Sequence, residues 1–146
     1  MAKTYRLSFG ARLINTVFRL MTRLGLGASY RHILTVPGRK TGRLYSTPVD
    51  VIEVAGDRWL VAGYGPVSWV RNARAAGKVT LSRGGRYEKF SVEEATGQMA
   101  IPVLRAYIAE IKVTRSYFDA NPDSPDDVIA AEQERHAVFR LEPEIA

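Results

Sequence analysis

Residues 32–62 read HILTVPGRKTGRLYSTPVDVIEVAGDRWLVA, and the order of strand and turn signals in this stretch decides the fold. His32 to Val36 is a short β-prone run. Gly38-Arg39-Lys40-Thr41-Gly42 follows as a glycine-bounded turn, and Leu44–Val54 resumes an extended pattern with loose alternation. Pro48 has no N–H to give to a ladder, so it implies an edge, a bulge or a ligand-facing bend. Ala55-Gly56-Asp57 makes a hairpin turn into Arg58–Ala62. The expectation is a meander of three antiparallel strands, which seldom stands alone.

Working outward toward the carboxyl end, Gly63-Tyr64-Gly65-Pro66 leads into a short helix from Ser68 to Ala76, with Gly77 as a left-handed cap. Val79–Ser82 and Tyr87–Val92 form a second hairpin around Arg83-Gly84-Gly85-Arg86. Ala100–Lys112 carries Ile101, Leu104, Tyr107, Ile108 and Ile111 at helical spacing, a core-facing helix. Ser124-Pro125-Asp126-Asp127 has the form of a helix start, with serine as its cap and the helix running to about Glu134. His136–Leu141 is a last strand, expected to pair with an early one and close the sheet. Toward the amino end, Ala11 to Leu24 repeats apolar residues at helical spacing with arginines opposite, and Gly25 and Gly27 end it. A helix with a solvated basic face is favoured there over one resting on anionic lipid. The whole chain, residues 1–146, reads as one domain: mainly β with flanking helices, an α+β barrel.

Composition excludes several classes of function. With no cysteine there are no disulfides, thiolate metal sites or cysteine nucleophiles, and with two histidines a metal site built by the protein is not expected. Neither histidine sits in a nucleophile context, and no paired carboxylates suggest glycoside hydrolysis. No stretch approaches the ~20 apolar residues of a membrane-spanning helix, and no signal peptide is apparent, so a cytoplasmic location is expected. The net charge of +6 calls for an anionic partner. Nucleic acid ranks last, because the aromatics do not alternate beside basic residues as stacking platforms do.

Two constellations carry chemistry. The Gly38–Gly42 turn can point several N–H groups one way while Arg39, Lys40 and the Thr41 hydroxyl add charge and donors, with Arg43 just beyond: an anion cradle, or else a solvated hairpin turn. Tyr64, Trp69 and Asn72 form the second. There the helix start suits another anionic group, and Trp69 either walls an aromatic ring system or packs in the core, the two weighing equally on spacing. Of the tyrosines, Tyr107 is expected to pack and Tyr117 keeps more weight as a proton donor.

Gly38-Arg39-Lys40-Thr41-Gly42, Pro48, Trp69-Val70-Arg71-Asn72 and Phe139-Arg140-Leu141-Glu142-Pro143 together resemble the deazaflavin-dependent nitroreductase family of mycobacteria and other actinobacteria, over about residues 10–143. The resemblance implies a split β-barrel of the pyridoxamine-phosphate-oxidase-like type and coenzyme F420, an 8-hydroxy-5-deazaflavin, with FMN less favoured. It implies that Arg39, Lys40 and Thr41 hold the phosphate and anionic tail, that Thr47, Pro48 and Val49 line the ring, and that Ala62, Gly63, Tyr64, Ser68 and Trp69 complete the site. Where family members often place a basic residue three positions before the proline, this chain has Tyr45, so Arg43 is expected to reach in. The implied reaction is hydride transfer to a quinone, an enone or a nitroaromatic, with a proton from solvent or a tyrosine. The alternative is a non-catalytic barrel binding a lipid-like or other anionic small molecule, with the helix at 11–24 touching a membrane; a monomer and a homodimer stay equally open.

Overall fold

A computed structural model describes residues 16–17 and 30–144, so the helix read at 11–24 falls almost wholly outside the described residues. Six strands form the core: β1 (Arg31–Pro37), β2 (Leu44–Val54), β3 (Asp57–Val61), β4 (Lys78–Arg83), β5 (Arg86–Ala95) and β6 (Val138–Pro143). They close into an antiparallel barrel in the order β1-β2-β3-β6-β5-β4, with β4 returning to β1 through Leu34↔Leu81 and its two neighbours. Helix α1 (Ser68–Ala76) lies between β3 and β4, and helices α2 (Ala100–Glu110) and α3 (Asp126–Ala131) lie between β5 and β6. The last strand does pair with an early one, β3, and also with β5.

Two apolar clusters explain why alternation in β2 is loose. Val49 and Val51 point into the barrel with Leu34, Leu60, Phe90 and Phe139. Ile52 points outward, yet it too is buried, against Trp59, Val61 and the α2 residues Leu104, Tyr107 and Ile108. A strand covered on both faces loses its polar positions. Each such side chain taken from water stabilises the fold by about 1.5–3 kcal/mol before entropy is counted.

Boundaries moved where tertiary contacts outweighed local pattern. β5 continues past Val92 to Ala95 because Glu93 and Glu94 pair with Arg140 and Phe139 across the ladder. Their carboxylates stay wet, and Glu94 takes a two-pronged bond from Arg74 at 2.7 Å per prong. Helix α2 stops at Glu110 instead of Lys112, since Ile111 turns extended to enter the core, fully buried. Ser124 does not cap α3: its hydroxyl accepts from the Asn121 amide at 2.9 Å, and Pro125 holds the cap position. The expected last turn to Glu134 is present as a tighter 3-10 turn over Glu132–Glu134. Gly77 is the left-handed cap of α1, at φ 71°, with its N–H on the Ala73 carbonyl.

Candidate functional site

The turn between β1 and β2 is built by register. Pro37 pairs with Leu44, which leaves residues 38–43 to cross the barrel rim. Gly38 donates to the Arg43 carbonyl at 2.7 Å, Gly42 donates to the Gly38 carbonyl at 2.9 Å, and Gly42 sits at φ 77°. A side chain at Gly38 would strike the Tyr45 ring, 2.7 Å from where its Cβ would stand. The Arg39 amide is taken by Asn72 Oδ1 and the Arg43 amide by the Thr41 hydroxyl. Among the described residues, the turn therefore keeps only the Lys40 and Thr41 amides without a protein acceptor. The groups the turn leaves open are fewer than the sequence suggested: two amides and the side chains of Lys40 and Thr41, since the Arg39 guanidinium also binds Asn72, at 2.9 Å.

Asn72 explains its own presence in a helix. It is 4% exposed, and its carbonyl accepts two bonds from Arg39, so it fastens the turn to α1 across 33 residues of chain. Between turn and helix lies a groove of about 480 Å3. Arg39, Lys40, Thr41, Thr47, Pro48, Tyr64, Ser68, Trp69 and Asn72 all line it. Its floor is β2, tied to β1 by the Thr35 and Ser46 hydroxyls at 2.9 Å. Trp69 packs as the core reading expected, its ring 5.9 Å from Phe139 of the barrel interior, and it also lines the groove.

Five residues expected here do not line the groove. Arg43 is exposed, its guanidinium 5.8 Å from the Tyr45 ring, and it is Tyr45 that faces the groove. Val49 and Ala62 are buried in the barrel interior. Gly63 lies just below, where a Cβ would collide with the Tyr107 hydroxyl and come within 2.8 Å of Thr114. Tyr117 also lies outside the groove, its ring edge-on to Tyr64 at 5.1 Å. The groove adds Val36, Gly38, Tyr45, Ser46 and Val67 to the expected set.

Behind the Ala62–Tyr64 segment, His136 acts as a tie. Nδ1 lies 2.7 Å from the Ala62 carbonyl and Nε2 3.0 Å from that of Tyr117, while the ring stacks on Phe118. Two carbonyl partners favour the doubly protonated ring, but burial outweighs them and holds His136 below its ordinary 6.5. Glu132 secures the same loop, its carboxylate accepting from the Asp119 and Ala120 amides and from Arg135.

A family model described as F420H(2)-dependent quinone reductase matches residues 14–119, well over half of the sequence. The chain belongs to this family. The reductase accordingly uses coenzyme F420, and its activity is that of an oxidoreductase. No curated protein sequence matches it. Among solved structures it is similar to an F420-H2 dependent reductase, FDR-A, at 20% identity and TM-score 0.52, over 77% of this chain and 94% of that one. A protein described as a domain-swapped dimer is similar at 17% identity and TM-score 0.58, over 92% and 97%. A putative pyridoxamine 5'-phosphate oxidase from Listeria innocua is similar at 11% identity and TM-score 0.52, over 80% and 85%. These likenesses are of fold, and they make the reductase a pyridoxamine-phosphate-oxidase-like split barrel.

The donor set suits the coenzyme. Open amides and a cation sit at one side, an aromatic wall at another, and a proline with hydroxyl-bearing neighbours along the floor.

Proposed function

We infer that the groove holds reduced coenzyme F420 with its anionic part at Lys40, Thr41 and the start of α1, and its ring between Pro48 and Trp69. The acceptor in this reading is a flat, electron-poor molecule, a quinone first and an enone or nitroaromatic next. The observation that carries it is the joining of turn and helix by Asn72, which holds the cationic and aromatic walls of one groove at a fixed separation.

Bound there, the coenzyme supplies a hydride. The protein's share is positional. Lys40 acts as a point charge, and the Thr41 hydroxyl and the two open amides add directional donors. The Ser68 hydroxyl lies at the helix end that favours negative charge. Trp69 and Tyr64 exclude water from one side of the groove.

Titration with coenzyme F420, and in parallel with FMN, tests this through Trp69 fluorescence in a Trp59→Phe background. Saturable quenching by F420 with weaker or no response to FMN is expected. Lys40→Ala should weaken F420 binding by about tenfold, the equivalent of ~1.4 kcal/mol for one charge-assisted contact. Equal affinity in that variant would remove the assignment of the anion site.

A further inference from the structure

A second space adjoins the groove. It is a cavity of about 40 Å3, and Pro48, Tyr64 and Trp69 line both. Its other wall carries Arg31, Asp50 and Tyr107. Asp50 follows Pro48 by two residues, so it shares the outward face of β2 with Pro48 and Ile52, beside α2. Its side chain is 9% exposed, and among the described residues Oδ1 has no close hydrogen-bond donor. Arg31 Nε stands 3.4 Å away, close enough to act as a counter-charge. The Tyr107 hydroxyl accepts from Thr114 at 3.3 Å, which leaves its own proton to give. Gly63, lacking a Cβ, leaves the room into which that hydroxyl reaches.

A carboxyl oxygen with no close donor, a phenol with a proton to spare and a space of this size are what one water molecule satisfies. We propose that Asp50, through a water held in this cavity with Tyr107, is the proton donor to the acceptor bound in the groove. The assignment rests on the proposed function above. The acceptor, once it has received the hydride, carries the electron pair as an anionic oxygen. The Asp50 O–H bond breaks, an O–H bond forms on the acceptor through the water, and the Asp50 carboxylate left behind faces Arg31 until solvent returns a proton.

Burial raises the Asp50 pKa above its ordinary 3.8, with Arg31 opposing, which moves this acid toward the range where a general acid works. The titratable groups facing it are Arg31 from β1, Tyr64 from the loop and Tyr107 from α2.

The test uses Asp50→Asn in the full chain. Its coenzyme titration and melting temperature should match wild type, while turnover falls by about 10²-fold, the scale of a lost general acid. The decline of wild-type kcat with rising pH should disappear with it. A second measurement needs neither coenzyme nor a folded variant: infrared difference spectra of the coenzyme-free wild type between acid and neutral pH should show a protonated carboxyl titrating above the ordinary aspartate range. A variant with wild-type turnover and pH profile, or a protein without that late-titrating carboxyl, overturns the proposal. Failure of wild type to bind F420 would instead sink the proposed function, and the infrared result on Asp50 would still stand by itself.

Discussion

Removing the Asn72 carbonyl separates the two halves of the groove, and the size of the effect follows from its bonds. Asn72→Ala deletes one neutral bond from the Arg39 amide and one charged bond from Nη1. Such bonds are worth about 0.5–1.5 and 1.5–3 kcal/mol respectively when their partners stay dry. Arg39 is exposed, so both freed donors reach water and the net loss falls to about 1–2 kcal/mol. For a chain of this length the melting temperature should drop by roughly 3–8 °C. The turn, once released, must be ordered again on binding, so the same energy should reappear as a 5- to 30-fold rise in the Kd for F420, roughly, by the usual conversion. Asn72→Asp separates the two effects. It keeps an acceptor for Arg39 and should melt near wild type, yet it sets a carboxylate beside an anionic ligand and should bind F420 weakly. Thermal denaturation by circular dichroism and fluorescence titration measure the pair. An Asn72→Ala protein with wild-type melting and wild-type affinity refutes the idea that this carbonyl holds the groove together.

Two further outcomes are expected. Gly63→Ala should destabilise by about 1–3 kcal/mol, because its methyl would overlap the Tyr107 hydroxyl, and Tyr107→Phe in the same chain should restore part of the loss, as chemical denaturation would show. His32 and His136 both titrate below their ordinary 6.5 when folded, chiefly through burial. The unfolded chain therefore binds more protons near pH 6, and stability that is complete above about pH 6.5 should be lost as pH falls through the depressed folded values. His136→Gln should flatten that slope in denaturation curves taken between about pH 7.5 and 5.5, and an unchanged slope would place the dependence elsewhere.

The barrel was legible because its turns are chemically explicit. Ala55-Gly56-Asp57 marks a hairpin turn, and the structure tightens it to two residues, with Val54 paired with Asp57 and positive φ at Ala55 and Gly56. Gly84-Gly85 does the same for β4 and β5. Strand ends were less legible, since Glu93 and Glu94 look like the end of β5 until Arg74 and Arg140 are seen beside them. The groove was readable where residue type has few other uses, as with Lys40, Pro48 and Asn72. It was misread at Arg43 because a turn's sequence does not tell which way its last side chain leaves. Asp50 was missed altogether, although an acid inside Val49-Asp50-Val51-Ile52 is an audible discord in an apolar run. Tyr107 was placed in the core by its helical spacing, and it is there, but spacing says nothing of where a phenol's tip emerges.

The position of β6 has a consequence for how the chain is made. It lies between β3 and β5, so every ribosome-bound intermediate that lacks residues 138–143 presents two unzipped borders at once. Synthesis cannot finish one half of the molecule and then the other. A late-arriving keystone means that the nascent protein runs its greatest risk of sticking to its neighbours until residues 138–143 have docked, and shielding by a holdase at that stage should raise the yield more than any change to the groove.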